Sequence, residues 1–317
     1  MTQSAYPSRI ASLLASGTEI LYALGLGNRV VAISHECDYP AAAVSKPRVT
    51  TSNVAAPTSG EIDAQVRHML AAGQALYGID GARLSQLAPE LIVTQAQCDV
   101  CAVKYEDVLS LVRSEPALSA TEVVALNPMT FDDILTDILR IGEATGAQRA
   151  AESYVTDLRQ RVTQVQQRVA RLGANDRPRI AAIEWIEPVM LAGNWMPQLV
   201  EWAGGVQPLP QGGRHSTYGD WRDIIAFDPQ VVLVMPCGFD LARAVTESRV
   251  LTAIPGWNEL SAVRAGRVYA VDGNAYFNRS GPRIVDSLEI LAGLLHPEIF
   301  GWPSRTVEDV PVWQPLL

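Results

Sequence analysis

The chain has few cysteines, fewer basic than acidic residues and no long apolar run. Four cysteines among 317 residues are too few for a disulfide scaffold and are more typical of thiols or of metal or redox ligands. Because 25 basic residues stand against 34 acidic ones, the formal charge is −9, which argues against a nucleic-acid partner. Gly, Pro or charged residues interrupt every apolar stretch before the ~18 residues of a membrane span, so no membrane insertion is expected.

The first residues contain no basic segment followed by an apolar run, which a secretory signal would need. The sequence as given therefore predicts a cytoplasmic protein, and a periplasmic or lipid-anchored one if a signal was removed. With 48% hydrophobic and 19% charged residues, the chain is expected to be globular and long enough for two domains.

Short runs of Val, Ile and Leu alternate with helical patterns, and such runs are typical of parallel strands buried on both faces. The predicted strands are residues 10–14, 30–33, 91–94 and 123–126, and then 179–185, 231–235 and 267–271. The two groups share a local pattern, since Leu87-Ala-Pro-Glu-Leu-Ile-Val-Thr is similar to Phe227-Asp-Pro-Gln-Val-Val-Leu-Val. The sequence therefore predicts an α/β fold with two Rossmann-like lobes and mainly parallel sheets.

Between the two groups the pattern is helical, with predicted helices at 131–143 and 147–172 that are separated near Gly146. Apolar residues of the second helix are spaced by alternating steps of four and three, at Ala151, Val155, Leu158, Val162, Val165, Val169 and Leu172. At ~1.5 Å per residue this helix would be roughly 39 Å long. We interpret it as a rigid interlobe helix rather than a dimerising zipper. The predicted domains are an N-terminal lobe (1–130), a helical spine (131–173) and a C-terminal lobe (174–317).

Ligands of parallel α/β sheets bind at the carboxyl ends of the strands. All four cysteines follow predicted strands, whereas all seven tryptophans lie at or after Trp185. The first lobe would therefore present polar and thiol groups, and the second lobe aromatic rings. Two lobes whose strand ends face each other would enclose a cleft lined by these residues.

Cys98 and Cys101 form a Cys-x-x-Cys pair, while His35 and Cys37 follow another predicted strand of the same lobe. A Cys₃His set can hold Zn in tetrahedral geometry, and thiolates also suit Fe and other soft metals. One hypothesis is therefore a metal-binding or redox-active protein that uses these four residues. The alternative is that the thiols are small buried core residues.

Motifs near both ends of the chain resemble a known family. Residues 10–27, Ile10-Ala-Ser-Leu-Leu-Ala-Ser-Gly-Thr-Glu-Ile-Leu-Tyr-Ala-Leu-Gly-Leu-Gly, are followed by Val30-Val-Ala-Ile-Ser and Cys37-Asp-Tyr-Pro40. This opening, together with Phe277-Asn-Arg-Ser-Gly-Pro-Arg-Ile, resembles the class III (helical-backbone) substrate-binding proteins of ABC transporters. The resemblance covers nearly the whole chain and is closest to the cobalamin-binding branch.

The resemblance implies binding without catalysis of a corrinoid such as cobalamin, a haem-like tetrapyrrole or an iron chelate, in a cleft between the lobes. The candidate ligand-binding residues are Tyr39, Trp185, His215, Tyr218, Trp221, Phe239, Tyr276, Phe277 and Arg279. His35 and His215 are candidates to approach a cobalt or iron centre axially. No Ser/His/Asp order, carboxylate pair or phosphate loop indicates an enzyme.

Family members that deliver a ligand to an ABC permease carry a docking glutamate on each lobe. The corresponding positions lie near Ala82 and Arg222, so docking glutamates are not evident. The first lobe also has an added segment at about 50–77. A transport component with a permease partner and a cytosolic carrier therefore both remain open, as do a monomer and a dimer.

Overall fold

The computed structural model describes residues 6–96, 100, 102–207, 212–307 and 310–317. The chain divides into two compact units. The first comprises residues 1–57, 64–128 and 132–157, and the second comprises 58–63, 129–131 and 158–317. This division shares the predicted spine, residues 131–173, between the two units.

The first unit is built around a parallel sheet with the strand order β2-β1-β5-β6. The strands up to residue 126 are β1 (Ile10–Ser12), β2 (Val30–Ile33), β3 (Thr50–Ser52), β4 (Tyr77–Ile79), β5 (Leu91–Gln95) and β6 (Glu122–Leu126). The helices up to residue 169 are α1 (Ala15–Ala23), α2 (Ser59–Ala71), α3 (Gly81–Leu87), α4 (Tyr105–Ser114), α5 (Phe131–Thr145) and α6 (Gln148–Val169). The four strands predicted for this lobe are confirmed as β1, β2, β5 and β6.

The added segment between β2 and β5 has its own secondary structure. Strands β3 and β4 pair in antiparallel fashion, with Thr50 opposite Ile79, and α2 lies between them in the chain. Helix α2 begins with a capping box, in which the Thr58 amide donates to the Glu61 carboxylate and the Glu61 amide donates to the Thr58 hydroxyl. Its first residues, through Asp63, belong to the second unit.

The core of the first unit packs beside the buried strands. Its fully or almost fully buried apolar residues are Ala11, Leu13, Ala32, Val49, Leu84, Ile92, Val103, Val108 and Leu118. Fully burying a Val, Leu or Ile side chain contributes about 1.5–3 kcal/mol. The continuous apolar runs noted in the sequence are thus the strands and helix faces of this core.

The second unit has a mixed sheet with the strand order β14-β11-β10-β7-β8-β9. The strands of this unit are β7 (Ile180–Trp185), β8 (Met190–Leu191), β9 (Thr217–Tyr218), β10 (Val231–Val234), β11 (Val268–Val271), β12 (Thr306–Val307), β13 (Val310–Pro311) and β14 (Trp313–Pro315). Strands β12 and β13 pair with each other, in a separate two-stranded sheet. The helices are α7 (Met196–Trp202), α8 (Trp221–Phe227), α9 (Leu241–Glu247), α10 (Ser261–Arg264), α11 (Ile284–Leu295) and α12 (Pro297–Phe300). Strands β7, β10 and β11 are parallel, as predicted, and antiparallel strands extend the sheet at both edges.

The repeated sequence pattern corresponds to a repeated local structure. Helix α3 ends before Ala88 and helix α8 before Asp228, and both residues adopt the left-handed conformation, with φ of 40° and 47°. In each case a proline follows, and a buried strand begins two residues after that proline. The local pattern shared by the two lobes is therefore confirmed: each copy consists of a helix end, a turn and a strand.

The helical segment separates at Gly146, as predicted, and this residue has φ of +73°, which glycine adopts without strain. Within α6 the apolar seam is buried from Ala151 to Val169. Helix α6 has 22 residues, so it is roughly 33 Å long. In the described part of the chain, no helix combines the length and the apolar character that crossing a bilayer requires.

Candidate functional site

Three side chains lie side by side across the antiparallel edge of the second unit's sheet. Trp185 of β7 pairs with Met190 of β8, which in turn pairs with Tyr218 of β9. Residues directly opposite each other on paired strands have Cβ atoms about 4.5–5.5 Å apart. We call Trp185, Met190 and Tyr218 the aromatic row.

Tyr218 is the most exposed member of the row, with 55% of its surface accessible. Its hydroxyl donates a hydrogen bond of 2.6 Å to Oδ1 of Asp63. The phenol ring is therefore held at its tip while most of the residue faces solvent. An aromatic ring in this state is available to stack on a planar ligand.

Trp185 is half-buried, and its ring is fixed on two sides. Its Nε1 donates to the carbonyl oxygen of Glu187 at 3.1 Å, and its ring meets the ring of Phe239 edge-on, with 5.3 Å between centroids. The guanidinium carbon of Arg243 lies 3.8 Å from the Phe239 ring centroid, a cation–π distance. Phe239 is buried, so it supports Trp185 instead of forming part of the open surface.

A carboxyl group lies close to the row. Oε2 of Glu184 accepts a 2.7 Å hydrogen bond from the Ser216 hydroxyl, and that hydroxyl accepts one of 2.9 Å from the Gly193 amide. Burial raises the pKa of Glu184 to about 7, against the lowering effect of the Ser216 hydrogen bond. Glu184 can therefore be neutral or charged near neutral pH.

The segment that follows β11 folds back on itself. Oδ1 of Asp272 accepts hydrogen bonds from the amides of Asn274 and Ala275, and burial raises the pKa of this carboxyl. The side-chain amide of Asn278 donates to the carbonyl oxygens of Met235 and Gly273. These contacts hold the segment against the end of β10.

Three residues predicted to bind a ligand lie inside this folded segment. Tyr276, Phe277 and Arg279 are all buried, and Phe277 is 0% exposed. The carbonyl oxygen of Phe277 accepts a 2.6 Å hydrogen bond from Nε1 of Trp195, and Arg279 donates to Asn274. The structure therefore does not bring these three side chains to the open surface near Tyr218.

His215 and Trp221 flank Tyr218 in the chain but differ in their surroundings. His215 is exposed in the segment that leads into β9. Trp221 is half-buried at the start of α8, where its ring meets Trp257 edge-on at 5.8 Å. It packs against the core of the second unit, so only part of its ring faces solvent.

In the first unit, the segment after β2 carries Tyr39, His35 and Cys37. Tyr39 is half-buried, whereas Cys37 is fully buried with its Sγ 3.0 Å from the Thr18 hydroxyl. Nδ1 of His35 lies 2.7 Å from the Thr50 hydroxyl. Burial, followed by the nearby Arg48, lowers the pKa of His35, which favours the neutral imidazole.

His35 and Cys37 are only two of the four residues of the predicted metal site. Cys98 and Cys101 lie outside the described residues, so the four-residue site stays a prediction. Among the residues that the structure does describe, no group of three or more His, Cys, Asp or Glu side chains is placed to hold a metal ion.

Sequence reasoning missed Met190, Asp63 and Glu184. Met190 lies on a two-residue strand, too short to show a strand pattern. Asp63 is 155 residues from Tyr218, and no local signal connects them, although the Thr58-x-x-Glu61 capping box marks the start of its helix. Glu184 was visible at a strand end, but its partner Ser216 lies on a distant segment.

Near the predicted docking positions, Ala82 and Arg222 lie in the first turns of α3 and α8. Each helix is preceded by an aspartate that caps it, Asp80 or Asp220. Asp220 also forms an ion pair with the side chain of Arg222. The guanidinium at this position is therefore engaged within the chain.

The sequence matches a known family model, described as periplasmic binding protein, over residues 10–275. The vitamin B12-binding protein of Vibrio cholerae is 24% identical over 284 residues, covering 89% of this chain and 86% of that protein. An uncharacterized ABC transporter substrate-binding lipoprotein, YvrC of Bacillus subtilis, is 21% identical over 296 residues, or 93% of this chain and 82% of that protein.

Among solved structures, the periplasmic heme-binding protein RhuT from Roseiflexus sp. RS-1 superimposes with a TM-score of 0.67. It is 20% identical and the match covers 91% of this chain and 98% of that one. The Bacillus subtilis relative is named as a lipoprotein and the Roseiflexus protein as periplasmic, so these names give no support to the expected cytoplasmic location. The family match covers most of the chain and agrees with the two-lobed α/β fold, and the chain therefore belongs to the periplasmic binding protein family.

Proposed function

We propose that this chain binds a corrinoid, a related tetrapyrrole or an iron chelate, and that it catalyses no reaction on it. The observation that carries the proposal is the exposed ring of Tyr218, in line with Met190 and Trp185 at one edge of the sheet. A corrinoid or porphyrin has a broad apolar ring with polar groups at its rim. Aromatic faces with a few polar groups beside them suit that surface.

The relatives support this ligand class. One is named for vitamin B12 and another for heme, and both ligands are flat metal-containing macrocycles. His215 is exposed beside Tyr218 in the chain and is our candidate for contact with a cobalt or iron centre. Tyr39, half-buried in the first unit, is our candidate for a second aromatic contact.

We further propose a role in transport, outside the cytoplasm and with an ABC permease as partner. The support is that relatives are named as a periplasmic binding protein and as an ABC transporter substrate-binding lipoprotein. The Asp220–Arg222 pair at the start of α8 differs from the docking glutamate implied by the resemblance. A permease partner would therefore have to fit this pair or the neighbouring Asp223.

Titration with hydroxocobalamin and, separately, with haemin tests the ligand class. We expect the ligand's visible band to shift and the tryptophan fluorescence to fall, with a dissociation constant in the micromolar range or below. The absence of both changes at about 100 μM of each ligand would contradict the proposal, because an aromatic site of this kind should be saturated well below that concentration.

A further inference from the structure

The added segment between β2 and β5 contacts the aromatic row. Asp63 lies on α2 and accepts the 2.6 Å hydrogen bond from the Tyr218 hydroxyl. Asp63 is only 9% exposed, whereas Tyr218 is 55% exposed. A buried carboxyl group thus holds the tip of a side chain that is more than half exposed.

The first turns of α2 are anchored independently of Tyr218. The backbone amide of Ser59 donates a 3.0 Å hydrogen bond to Oε2 of Glu247 on α9. Ile62 and Trp185 both pack against the buried cluster that contains Phe239. Because Ser59 and Asp63 are four residues apart, they share one face of the helix, and both are buried. The backbone that carries the Asp63 carboxyl is therefore fixed.

We propose that Asp63 is a positioning residue for ligand binding, acting through Tyr218; this inference rests on the proposed function. An exposed tyrosine without a partner samples several rotamers, and a ligand that stacks on it must stop that motion. A hydrogen bond to a carboxylate is among the stronger kinds, so it holds the ring ready before the ligand arrives. Preorganisation of this kind improves affinity because less freedom is lost on binding.

The test compares variants that remove the same hydrogen bond from either side. Tyr218→Phe keeps the ring and loses the donor, whereas Asp63→Ala loses the acceptor. Each should weaken the dissociation constant for hydroxocobalamin or haemin by about three- to tenfold. The double variant should be no weaker than the worse single variant, because both changes remove one interaction. Asp63→Asn keeps an acceptor oxygen and should bind within about twofold of the unaltered protein.

Thr58→Ala provides the matched control for a merely structural role of α2. It removes the cap of the same helix and touches neither Asp63 nor Tyr218, so it should lower the melting temperature without weakening ligand binding. Should Asp63→Ala fail to fold, Tyr218→Phe still decides the question, because its lost hydroxyl belongs to an exposed side chain.

The positioning role is wrong if Tyr218→Phe binds as the unaltered protein does. It is also wrong if the losses of affinity in the two single variants add up in the double variant. It is also wrong if Asp63→Asn binds as weakly as Asp63→Ala. If neither probe binds the unaltered protein, the proposed function fails and the positioning role falls with it. Binding by the unaltered protein together with full binding by the variants overturns the positioning role alone.

Discussion

The Ser216 hydroxyl links two separate parts of the second unit, accepting from the Gly193 amide at 2.9 Å and donating to the Glu184 carboxyl at 2.7 Å. Glu184 lies on β7 next to Trp185, and Ser216 lies just before β9. The bond therefore ties the segment that carries His215 and Tyr218 to the strand that carries Trp185. The protonation state of Glu184 influences how firmly the site is held.

The stability of the protein should depend on the titration of Glu184. Its pKa is raised in the folded protein from its ordinary value of 4.5 to about 7. Between these values the folded state holds a proton that the unfolded state has released, so stability falls as the pH rises from about 4.5 to about 7. At 1.36 kcal/mol per pH unit, the loss across this range is about 3 kcal/mol. Glu184→Gln should remove this loss and be more stable than the unaltered protein at pH 8.

Chemical denaturation of both proteins at pH 4.5, 6 and 8 measures the effect. The comparison isolates the effect of Glu184, because the other groups with a shifted pKa are the same in both proteins. Asp137, whose pKa burial raises to about 6, contributes in the same direction between its ordinary value of 3.8 and 6. Equal pH dependence of the two proteins would show that Glu184 does not titrate as its surroundings indicate.

Gly273 should not tolerate a side chain. A Cβ at this position would lie closer than 3.0 Å to the backbone of Met235 and Pro236, which cannot give way as a flexible side chain could. Gly273→Ala should therefore lower the free energy of unfolding by about 2–4 kcal/mol. Gly212→Ala is the matched control, since its Cβ would have no neighbour closer than 3.6 Å. Similar losses in both variants would contradict the close approach of the two loops.

The buried seam of α6 should contribute to stability within the single chain. Leu158 is 2% exposed, and replacing such a residue with alanine removes apolar contacts and leaves a cavity. Leu158→Ala should cost about 2–5 kcal/mol, whereas Gln160→Ala, at an exposed position on the same helix, should change stability by about 0.5 kcal/mol or less. Denaturation at several protein concentrations checks this, since a dimerising seam would make the midpoint depend on concentration.

Much of the fold could be predicted because its signals are local. Continuous apolar runs identified β1, β2, β5, β6, β7, β10 and β11, and the proline turns after Ala88 and Asp228 identified the repeat between the lobes. The short strands β8 and β9 could not be found, because two residues carry no periodicity. Their pairing, however, is what aligns Met190 with Tyr218 and Trp185.

The candidate site could be predicted only in part. Trp185, at the end of a predicted strand, and Tyr218 were both candidates under the family resemblance, and the structure puts them in one row. Tyr276, Phe277 and Arg279 follow a strand equally well, yet hydrogen bonds to Asp272 and from Asn278 fold their segment inward. A strand-end position therefore indicates at which end of the sheet a residue lies, and not whether its side chain is exposed.

The hypothesis of a metal site at His35, Cys37, Cys98 and Cys101 makes a separate prediction. A tetrahedral Cys₃His site predicts about one equivalent of Zn or Fe in protein purified without a histidine tag, lost when Cys98 is replaced by serine. Thiol titration with and without a chelator should then show more reactive thiols after metal removal. Less than about 0.1 equivalent of metal would contradict the hypothesis. Cys37 would then be a core residue whose thiol is hydrogen-bonded to the Thr18 hydroxyl.

The most direct test of the ligand-binding proposal compares two exposed aromatic residues of the same unit. Tyr218 belongs to the aromatic row, whereas Trp302, 58% exposed, stacks on Trp313 near the end of the chain. We expect Tyr218→Ala to weaken the dissociation constant for hydroxocobalamin or haemin at least about tenfold, the loss of one aromatic contact. Trp302→Ala should bind within about twofold of the unaltered protein. Unchanged affinity in Tyr218→Ala, or an equal loss in Trp302→Ala, would contradict the assignment of the site to the aromatic row.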